Sequence, residues 1–216
     1  MHSDLGKKAA RDRAVELLAM VGIPRPSERV DSYSFELFGR PAPAEVIALA
    51  LAAEPRILIA DEPTTALDVT TQAQILDLIR HLQAERDLAV ILITHDMGVI
   101  AEMADDVVVM YLGRDVEQGP VETIFRSGAS YARSLLQSIP SILAEPRSRL
   151  RTIEGSIPHP YNRPPGCPFH PRCTEAMAGR CDRELPGHSQ LAARHAVSCF
   201  LYDANLVAAG RPEAVR

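Results

Sequence analysis

Two groups of polar residues directly follow apolar runs in the first half of this 216-residue chain. Asp61 and Glu62 follow the run 57–60, and His95 follows the run 89–94. Adjacent carboxylates suit magnesium-dependent hydrolysis of a nucleotide, because one can hold Mg²⁺ while the other orients or deprotonates water. A nearby histidine can hydrogen-bond to a γ-phosphate. Each feature alone is also typical of a solvated loop or a structural histidine, so the hypothesis depends on their combination.

A second candidate site is a cysteine cluster with the spacing C-x5-C-x7-C-x17-C in the last quarter of the chain. In a cytosolic protein such clustering favours metal or cluster ligation over disulfides. The spacing differs from the paired CxxC of zinc ribbons, and four thiolates accept either Zn²⁺ or an iron-sulfur cluster. Reduced cysteines without metal are the third possibility, and His170 and His188 are weaker candidate ligands. The four cysteines are Cys167, Cys173, Cys181 and Cys199.

Composition excludes several classes of protein. The net charge of -5 argues against a nucleic-acid-binding domain, which usually carries a basic surface. No apolar run approaches the roughly 18 residues of a membrane span, and the run 1–4 gives no sign of a signal peptide. We therefore expect a cytosolic α/β protein that can dock on a membrane protein.

The elements around the candidate carboxylates predict a βαβ unit. The run Ile57–Ala60 has the continuous apolar character of a buried parallel strand, as does Ala89–Thr94. Between them, residues Thr70–Arg86 have the periodicity of a helix. Ligands bind beyond the carboxyl ends of such strands, so Glu62 and His95 should lie within reach of one ligand if the strands are neighbours.

The other elements are predicted from periodicity and from turn residues. From Pro140 onward prolines are frequent, which indicates a domain boundary and a loop-rich tail with little regular structure. The other predicted helices are at 7–21, 97–103, 121–125 and 131–138, and one more begins near residue 44. A strand is predicted at 107–111, and it enters a hairpin through Gly113-Arg114.

Two sequence runs carry a resemblance to a known family. Residues 58–68, which read Leu-Ile-Ala-Asp-Glu-Pro-Thr-Thr-Ala-Leu-Asp, resemble the Walker B strand and D-loop of ABC-transporter ATPases. Ile93-Thr94-His95-Asp96 resembles their switch histidine. The resemblance implies ATP and Mg²⁺ as cofactors, Asp61 as the magnesium-site acid and Glu62 as the catalytic base. It also implies that Asp68 crosses a dimer interface and that His95 contacts the γ-phosphate.

Further runs resemble one branch of that family, the oligopeptide/dipeptide importer ATPases. These runs are 68–76, 94–102, 109–114 and the tail phrase Gly-Cys-Pro-Phe-His-Pro-Arg-Cys at 166–173. Nickel importers share much of this pattern, so nickel is the alternative cargo. For the cysteines, the resemblance favours a [4Fe-4S] cluster with a structural or regulatory role over Zn²⁺.

The resemblance also implies a fold and a domain organisation. We expect the C-terminal part of a P-loop ABC ATPase domain, with a helical-subdomain remnant, a parallel sheet and a small cysteine-bearing extension. The expected limits are 1–55 for the partial helical subdomain, 56–139 for the catalytic core and 140–216 for the extension. The chain should begin inside the helical subdomain of its relatives, as an N-terminally truncated member.

Partners follow from the same resemblance. We expect a second ATPase subunit in a homodimer or heterodimer, two transmembrane permease subunits and, indirectly, an extracytoplasmic peptide-binding protein. Nucleic acid is not an expected partner. The resemblance places the protein peripherally on the cytoplasmic face of a bacterial inner membrane.

The chain departs from the family at the phosphate loop. Leu5-Gly6-Lys7-Lys8 is the only fragment like it, and lacks both the upstream glycine and the Ser/Thr after Gly-Lys. We interpret this fragment as a polar helix start. Without the backbone N–H groups and lysine that surround the β-phosphate, the chain alone should bind ATP weakly.

The second departure is at the signature motif, Leu-Ser-Gly-Gly-Gln in the family. The matching stretch begins Leu37-Phe38-Gly39-Arg40, so Leu37 and Gly39 remain as candidate nucleotide-binding residues. One base inserted into a GC-rich Leu-Ser-Gly-Gly-Gln-Arg-Gln-Arg codon series yields the run 37–44, which suggests a local frameshift. Unambiguous in-frame codons on resequencing would contradict a sequencing error.

Two rival interpretations follow. The chain is a degenerate, non-hydrolysing partner subunit or pseudogene product, as the missing phosphate loop suggests. Alternatively it is a metal-dependent redox sensor built around the tail, although this leaves Glu62 and His95 unexplained.

Overall fold

The computed structural model describes residues 6–33, 43–127, 129–139 and 152–203. The chain divides into two compact units between His95 and Asp96, and each unit is described by itself. The domain limits predicted at 55/56 and 139/140 stay predictions, and Pro140 lies outside the described residues. Within the described ranges, every helix is too short or too polar to cross a membrane.

The first unit contains a βαβ arrangement. Strand β1 pairs in parallel with β2, from Ile57 opposite Ala89 to Asp61 opposite Ile93, and α4 connects the two strands. This confirms the predicted order of strand, helix and strand. The elements of the unit are α1 (Lys7–Met20), α2 (Pro26–Arg29), α3 (Pro43–Leu51), β1 (Ile57–Asp61), α4 (Val69–Arg86) and β2 (Ala89–Ile93).

Helices supply most of the buried apolar side chains of this unit. Leu17 of α1, Leu51 of α3 and Ile79 and Leu82 of α4 are each at most 5% exposed. Helix α1 begins after Gly6, which has extended backbone angles and lies at the helix N-cap. The fragment containing Gly6 and Lys7 is therefore a helix start, as predicted, and not a phosphate loop.

The two parallel strands are less buried than predicted. Leu58 is 6% exposed, whereas the alternate residues Ile57 and Ile59 are 55% and 64% exposed, and Ile91 and Ile93 on β2 are 49% and 48% exposed. Side chains alternate between the two faces of a strand. Within the described residues, the sheet consequently has one partly buried face and one exposed apolar face of four isoleucines, so the prediction of continuous burial was wrong for the second face.

The second unit is built on a four-stranded antiparallel sheet in the order β3-β4-β6-β5. Leu112 and Gly113 connect β3 to β4 with φ values of 48° and 72°. Positive φ at both loop residues is typical of a two-residue hairpin turn, so the hairpin is confirmed and its turn lies one residue earlier than predicted. The elements are α5 (Met97–Met103), β3 (Asp106–Tyr111), β4 (Arg114–Pro120), α6 (Val121–Ser127), α7 (Ser130–Gln137), β5 (Ser189–Ala192) and β6 (His195–Val197), with 3-10 turns at His170–Arg172 and Phe200–Tyr202.

The tail packs on the sheet through backbone pairing and aromatic contacts. Strand β6 pairs with β4, where Gln118 lies opposite Ala196. Three rings pack in a triangle with tilted or edge-to-face geometry, since Tyr111, Tyr131 and Phe169 have centroids 4.8 to 5.3 Å apart and interplanar angles of 60° to 79°. The prediction of little regular structure in the tail was wrong for β5 and β6. An available edge of β4 stabilises these short strands, and local composition does not show that edge.

Candidate functional site

The predicted carboxylates lie at the carboxyl end of β1. Asp61 is the last residue of this strand, and Glu62 follows it. The Glu62 amide donates to the carbonyl oxygen of Ile93 at 2.8 Å, which extends the pairing of β1 with β2 by one step. Residues that follow the two strands therefore emerge side by side at one edge of the sheet.

Glu62 contacts two side chains through its two carboxylate oxygens. Nδ1 of His95 lies 3.1 Å from Oε1, and the Thr65 hydroxyl donates to Oε2 at 2.6 Å. The side chains of His95 and Glu62 are 80% and 45% exposed, so this pair is open to a ligand from solvent. The sequence predicted that Glu62 and His95 would lie within reach of one ligand, and the structure places them in direct contact. The sequence did not predict the contact with Thr65.

The hydrogen bonds around Glu62 favour its charged form. The Thr65 hydroxyl, and then His95, hold the pKa of the Glu62 carboxyl below its ordinary value. The backbone of Glu62 has a φ of 46°, which is uncommon for a residue with a Cβ. A non-glycine residue in this region is often found at a functional site, where the surrounding structure holds it in place.

Asp68 ends the turn that starts at Glu62 and caps α4. Its Oδ1 accepts from the amides of Thr70 and Thr71 at 3.0 Å, and its Oδ2 accepts from the Thr71 hydroxyl at 2.7 Å. The Thr71 amide, then its hydroxyl, hold the pKa of Asp68 below its usual value. The carboxylate thus has a local capping role, and its role at a dimer interface stays a prediction.

The two candidate residues of the signature motif, Leu37 and Gly39, lie outside the described residues. Of the candidate nucleotide-site residues that the structure describes, Asp61, Glu62 and His95 therefore lie at the strand ends. Oxygen ligands of the kind that Asp61 supplies suit a hard cation such as Mg²⁺.

All four cysteines line one cavity of about 40 Å³ in the second unit. The Cys167 amide donates to the Cys181 carbonyl oxygen at 2.8 Å, which joins two of the predicted ligands through the backbone. Sγ of Cys173 lies 3.2 Å from the hydroxyl oxygen of Ser130, at the start of α7. The tail fold consequently gathers thiols that are up to 32 positions apart in the sequence (199 − 167).

Burial favours the neutral form of two of these thiols, Cys167 and Cys199. Burial, with a smaller contribution from the other thiols, raises the pKa of Cys199 to about 12 and also raises the pKa of Cys167. Among the described residues, no group of three or more His, Cys, Asp or Glu side chains is arranged to hold a metal ion. The donor type thus fits a soft metal or an iron-sulfur cluster, whereas a ligating arrangement is not preformed.

The two histidines considered as alternative ligands differ in position. His170 lines the cysteine cavity, and its Nδ1 lies 2.9 Å from the Cys167 carbonyl oxygen. His188 instead lies 3.1 Å from the Ser198 hydroxyl and 3.4 Å from an oxygen of Asp115. The structure therefore places His170 next to the cluster and gives His188 polar partners elsewhere.

Sequence reasoning missed a buried ionisable pair, one member of which, Glu117, lines the same cavity. Glu117 of β4 and His195 of β6 lie in contact, and their side chains are 0% and 8% exposed. The largely polar sequence of β4 around Glu117 gives no sign that this carboxylate is buried. Its partner lies 78 positions away, so no local pattern could identify it.

Comparisons with known proteins bear on both sites. A sequence profile of the family described as "Oligopeptide/dipeptide transporter, C-terminal region" matches residues 116–181. The dipeptide transport ATP-binding protein DppD of Bacillus subtilis is 46% identical over 203 residues, which cover 94% of this chain and 60% of that protein. DppD of Escherichia coli is 42% identical over 213 residues, which cover 98% of this chain and 64% of that protein. The chain thus spans about three fifths of the length of these curated relatives.

Solved structures support the fold. The inward-facing structure of an ABC transporter described as of metal-chelate type matches with a TM-score of 0.51 at 21% identity. The match covers 62% of this chain and 50% of that one. At this identity the likeness establishes the fold alone, that of part of an ABC ATPase domain.

Proposed function

Because this chain belongs to the family of dipeptide and oligopeptide transport ATP-binding proteins, we propose that it is part of a subunit that hydrolyses ATP to drive peptide uptake. The observation that carries this proposal is the contact between Glu62 and His95 at the carboxyl ends of two neighbouring parallel strands. Ligand sites of parallel α/β sheets lie at such ends.

The residues at this edge have separate roles in the proposed reaction. Bound Mg²⁺-ATP would supply the phosphoryl group and the charge neutralisation that hydrolysis needs. Asp61 would hold the metal ion through its carboxylate. Glu62, kept ionised by its two hydrogen bonds, would orient the attacking water and accept its proton. His95, largely exposed beside Glu62, would hydrogen-bond to the terminal phosphate.

The proposed assembly contains a second ATPase subunit and two permease subunits, and a peptide-binding protein delivers the cargo from outside the membrane. The chain would lie peripherally on the cytoplasmic face of the inner membrane, with Asp68 facing the second ATPase subunit. We further propose that residues 1–216 alone bind ATP weakly. A submicromolar Kd for ATP, measured by calorimetry on the isolated chain, would contradict this part.

The test is ATP hydrolysis by the membrane complex, purified from the native host through a tag on this chain. Glu62→Gln should lower kcat by about 100-fold or more, since a positioned general base contributes about that much. Glu85→Gln, the same change at an exposed position of α4, is the matched control and should leave kcat unchanged. Absence of permease subunits from the complex would sink the proposal.

The same experiment separates the proposal from the alternative of a non-catalytic partner. If Glu62→Gln leaves kcat unchanged while the complex still hydrolyses ATP, a partner subunit does the chemistry and this chain is degenerate.

The cargo is tested by uptake into vesicles that contain the complex. We expect accumulation of a labelled dipeptide, and accumulation of labelled nickel alone would favour the alternative cargo.

For the tail, we propose that Cys167, Cys173, Cys181 and Cys199 hold a [4Fe-4S] cluster with a structural or regulatory role, with Zn²⁺ as the alternative. Convergence of the four thiols on one cavity supports this proposal. The thiols would have to lose their protons and move closer together on binding. Anaerobically purified protein should contain iron and sulfide and absorb visible light. Zinc alone would support the alternative, and the absence of any metal would overturn both.

A further inference from the structure

Thr65 is joined to Glu62 in two ways. The Thr65 amide donates to the Glu62 carbonyl oxygen at 3.1 Å, which closes a tight turn over residues 62–65. The Thr65 hydroxyl donates to the Glu62 carboxylate at 2.6 Å. The same turn continues to Asp68, which caps α4. Thr65 therefore connects the carboxylate of Glu62 to the backbone conformation of this turn.

A glutamate side chain as exposed as that of Glu62 would ordinarily sample several rotamers, because water competes for its hydrogen bonds. Two donors instead hold the two oxygens, His95 at Oε1 and Thr65 at Oε2. Glu62 has a φ of 46°, and its side chain reaches the Thr65 hydroxyl three residues later. Loss of either donor should leave the carboxylate free to rotate about the other.

We propose that Thr65 is a positioning residue, whose hydroxyl fixes the orientation of the Glu62 carboxylate together with His95. The effect of Thr65 on catalysis rests on the proposed function, whereas its effect on the orientation of the Glu62 carboxylate does not. A movement of the turn 62–68, such as one imposed by a partner subunit, would then reorient the carboxylate.

The test is carbon-13 NMR relaxation of the Glu62 side chain in the 216-residue chain at pH 7, which measures how far the carboxylate is held in one orientation. The resonance is assigned by its loss in Glu62→Gln. Thr65→Val keeps the size of the side chain, removes the hydroxyl and should lower the order parameter of the Glu62 side chain. Thr65→Ser should restore the wild-type value. Thr65 is exposed, so these changes remove no core packing.

Thr71→Val is the matched control, because Thr71 makes the same kind of bond to Asp68 at 2.7 Å. It should leave the order parameter of the Glu62 side chain unchanged. The proposal is overturned if Thr65→Val leaves that order parameter at the wild-type value, or if Thr71→Val lowers it equally.

In the tagged membrane complex, Thr65→Val should lower kcat with little change in KM for ATP, and Thr65→Ser should recover it. An unchanged kcat alongside a lowered order parameter of the Glu62 side chain would overturn the catalytic consequence while the positioning stands. A complex without ATPase activity would overturn the proposed function, and the NMR relaxation measurement would still decide the role of Thr65.

Discussion

Nε2 of His195 lies 2.8 Å from Oε1 of Glu117, and both side chains are buried. The second oxygen of Glu117 accepts a hydrogen bond of 2.7 Å from the amide of Ala129, at the N-cap of α7. One carboxylate therefore joins three elements, namely β4, β6 and α7. This pair connects the cysteine-bearing tail to the sheet that precedes it.

We predict that Glu117→Ala lowers the free energy of unfolding by about 3–5 kcal/mol, because it leaves a buried partner and an amide uncompensated. His195→Ala should have a similar effect. Urea denaturation of both single variants and the double variant gives the coupling energy, and the double variant should lose less than the sum of the two. Glu122→Ala, at an exposed position of α6, is the control and should cost less than about 1 kcal/mol. Strict additivity would contradict a direct interaction.

Gly166→Ala should destabilise the cysteine cavity. Gly166 has a φ of 72°, and a Cβ there would lie 2.7 Å from the Arg183 nitrogen and closer still to the Cys181 carbonyl oxygen. Gly179 has a φ of 80° but open space around it, so Gly179→Ala isolates the backbone strain. We expect Gly179→Ala to lower the free energy of unfolding by about 1–2 kcal/mol. Gly166→Ala should lower it by about 1–3 kcal/mol more, because the added Cβ displaces neighbouring atoms. Equal costs for the two variants in thermal unfolding would contradict the close approach.

Cys199 should react slowly with alkylating agents in metal-free protein. With its thiol pKa raised to about 12 from an ordinary 9.0, the thiolate fraction at pH 8 falls by about 1,000-fold, and thiolate is the reacting species. Mass spectrometry after timed iodoacetamide treatment measures the rate in native protein and in urea. A native rate equal to the rate in urea would show that burial does not protect this thiol.

Asp68→Asn tests the pH dependence of the cap on α4. The pKa of Asp68 is lowered in the folded chain, so ionisation of Asp68 stabilises the fold above the ordinary value of 3.8. This contribution is lost as the pH falls through the folded-state pKa. Asparagine keeps the capping geometry without the charge. Urea unfolding should show that the wild-type chain is more stable than Asp68→Asn at pH 7. The difference in their free energies of unfolding should shrink as the pH is lowered to 3. A difference independent of pH would refute this assignment.

The hydrophobic periodicity of the sequence correctly predicted the strands and the helix that position the site. The apolar runs before Asp61 and His95 became β1 and β2, and parallel pairing brought Glu62 and His95 together as expected. Here the information is local, since strand type and helix length can be read from the order of residues. The position of the site then follows from the geometry of a parallel sheet.

The remaining features depend on geometry that sequence patterns do not specify. The bond from Thr65 to Glu62 requires positive φ at a glutamate, which no residue preference signals. The strands β5 and β6 form because β4 offers an edge, and the pairing of Glu117 with His195 spans most of the second unit. The open isoleucine face of β1 and β2 also escaped prediction, because a continuous apolar run looks the same whether one face is buried or two.

The aromatic triangle has a practical consequence for optical spectroscopy. The chain has five tyrosines and no tryptophan, and the rings of Tyr111 and Tyr131 pack against each other and against Phe169 of the tail. Tyrosine circular dichroism in the near ultraviolet is therefore a built-in reporter of tail docking, free of indole background. The same signal can follow the tail when a metal is added to the cysteines or stripped from them.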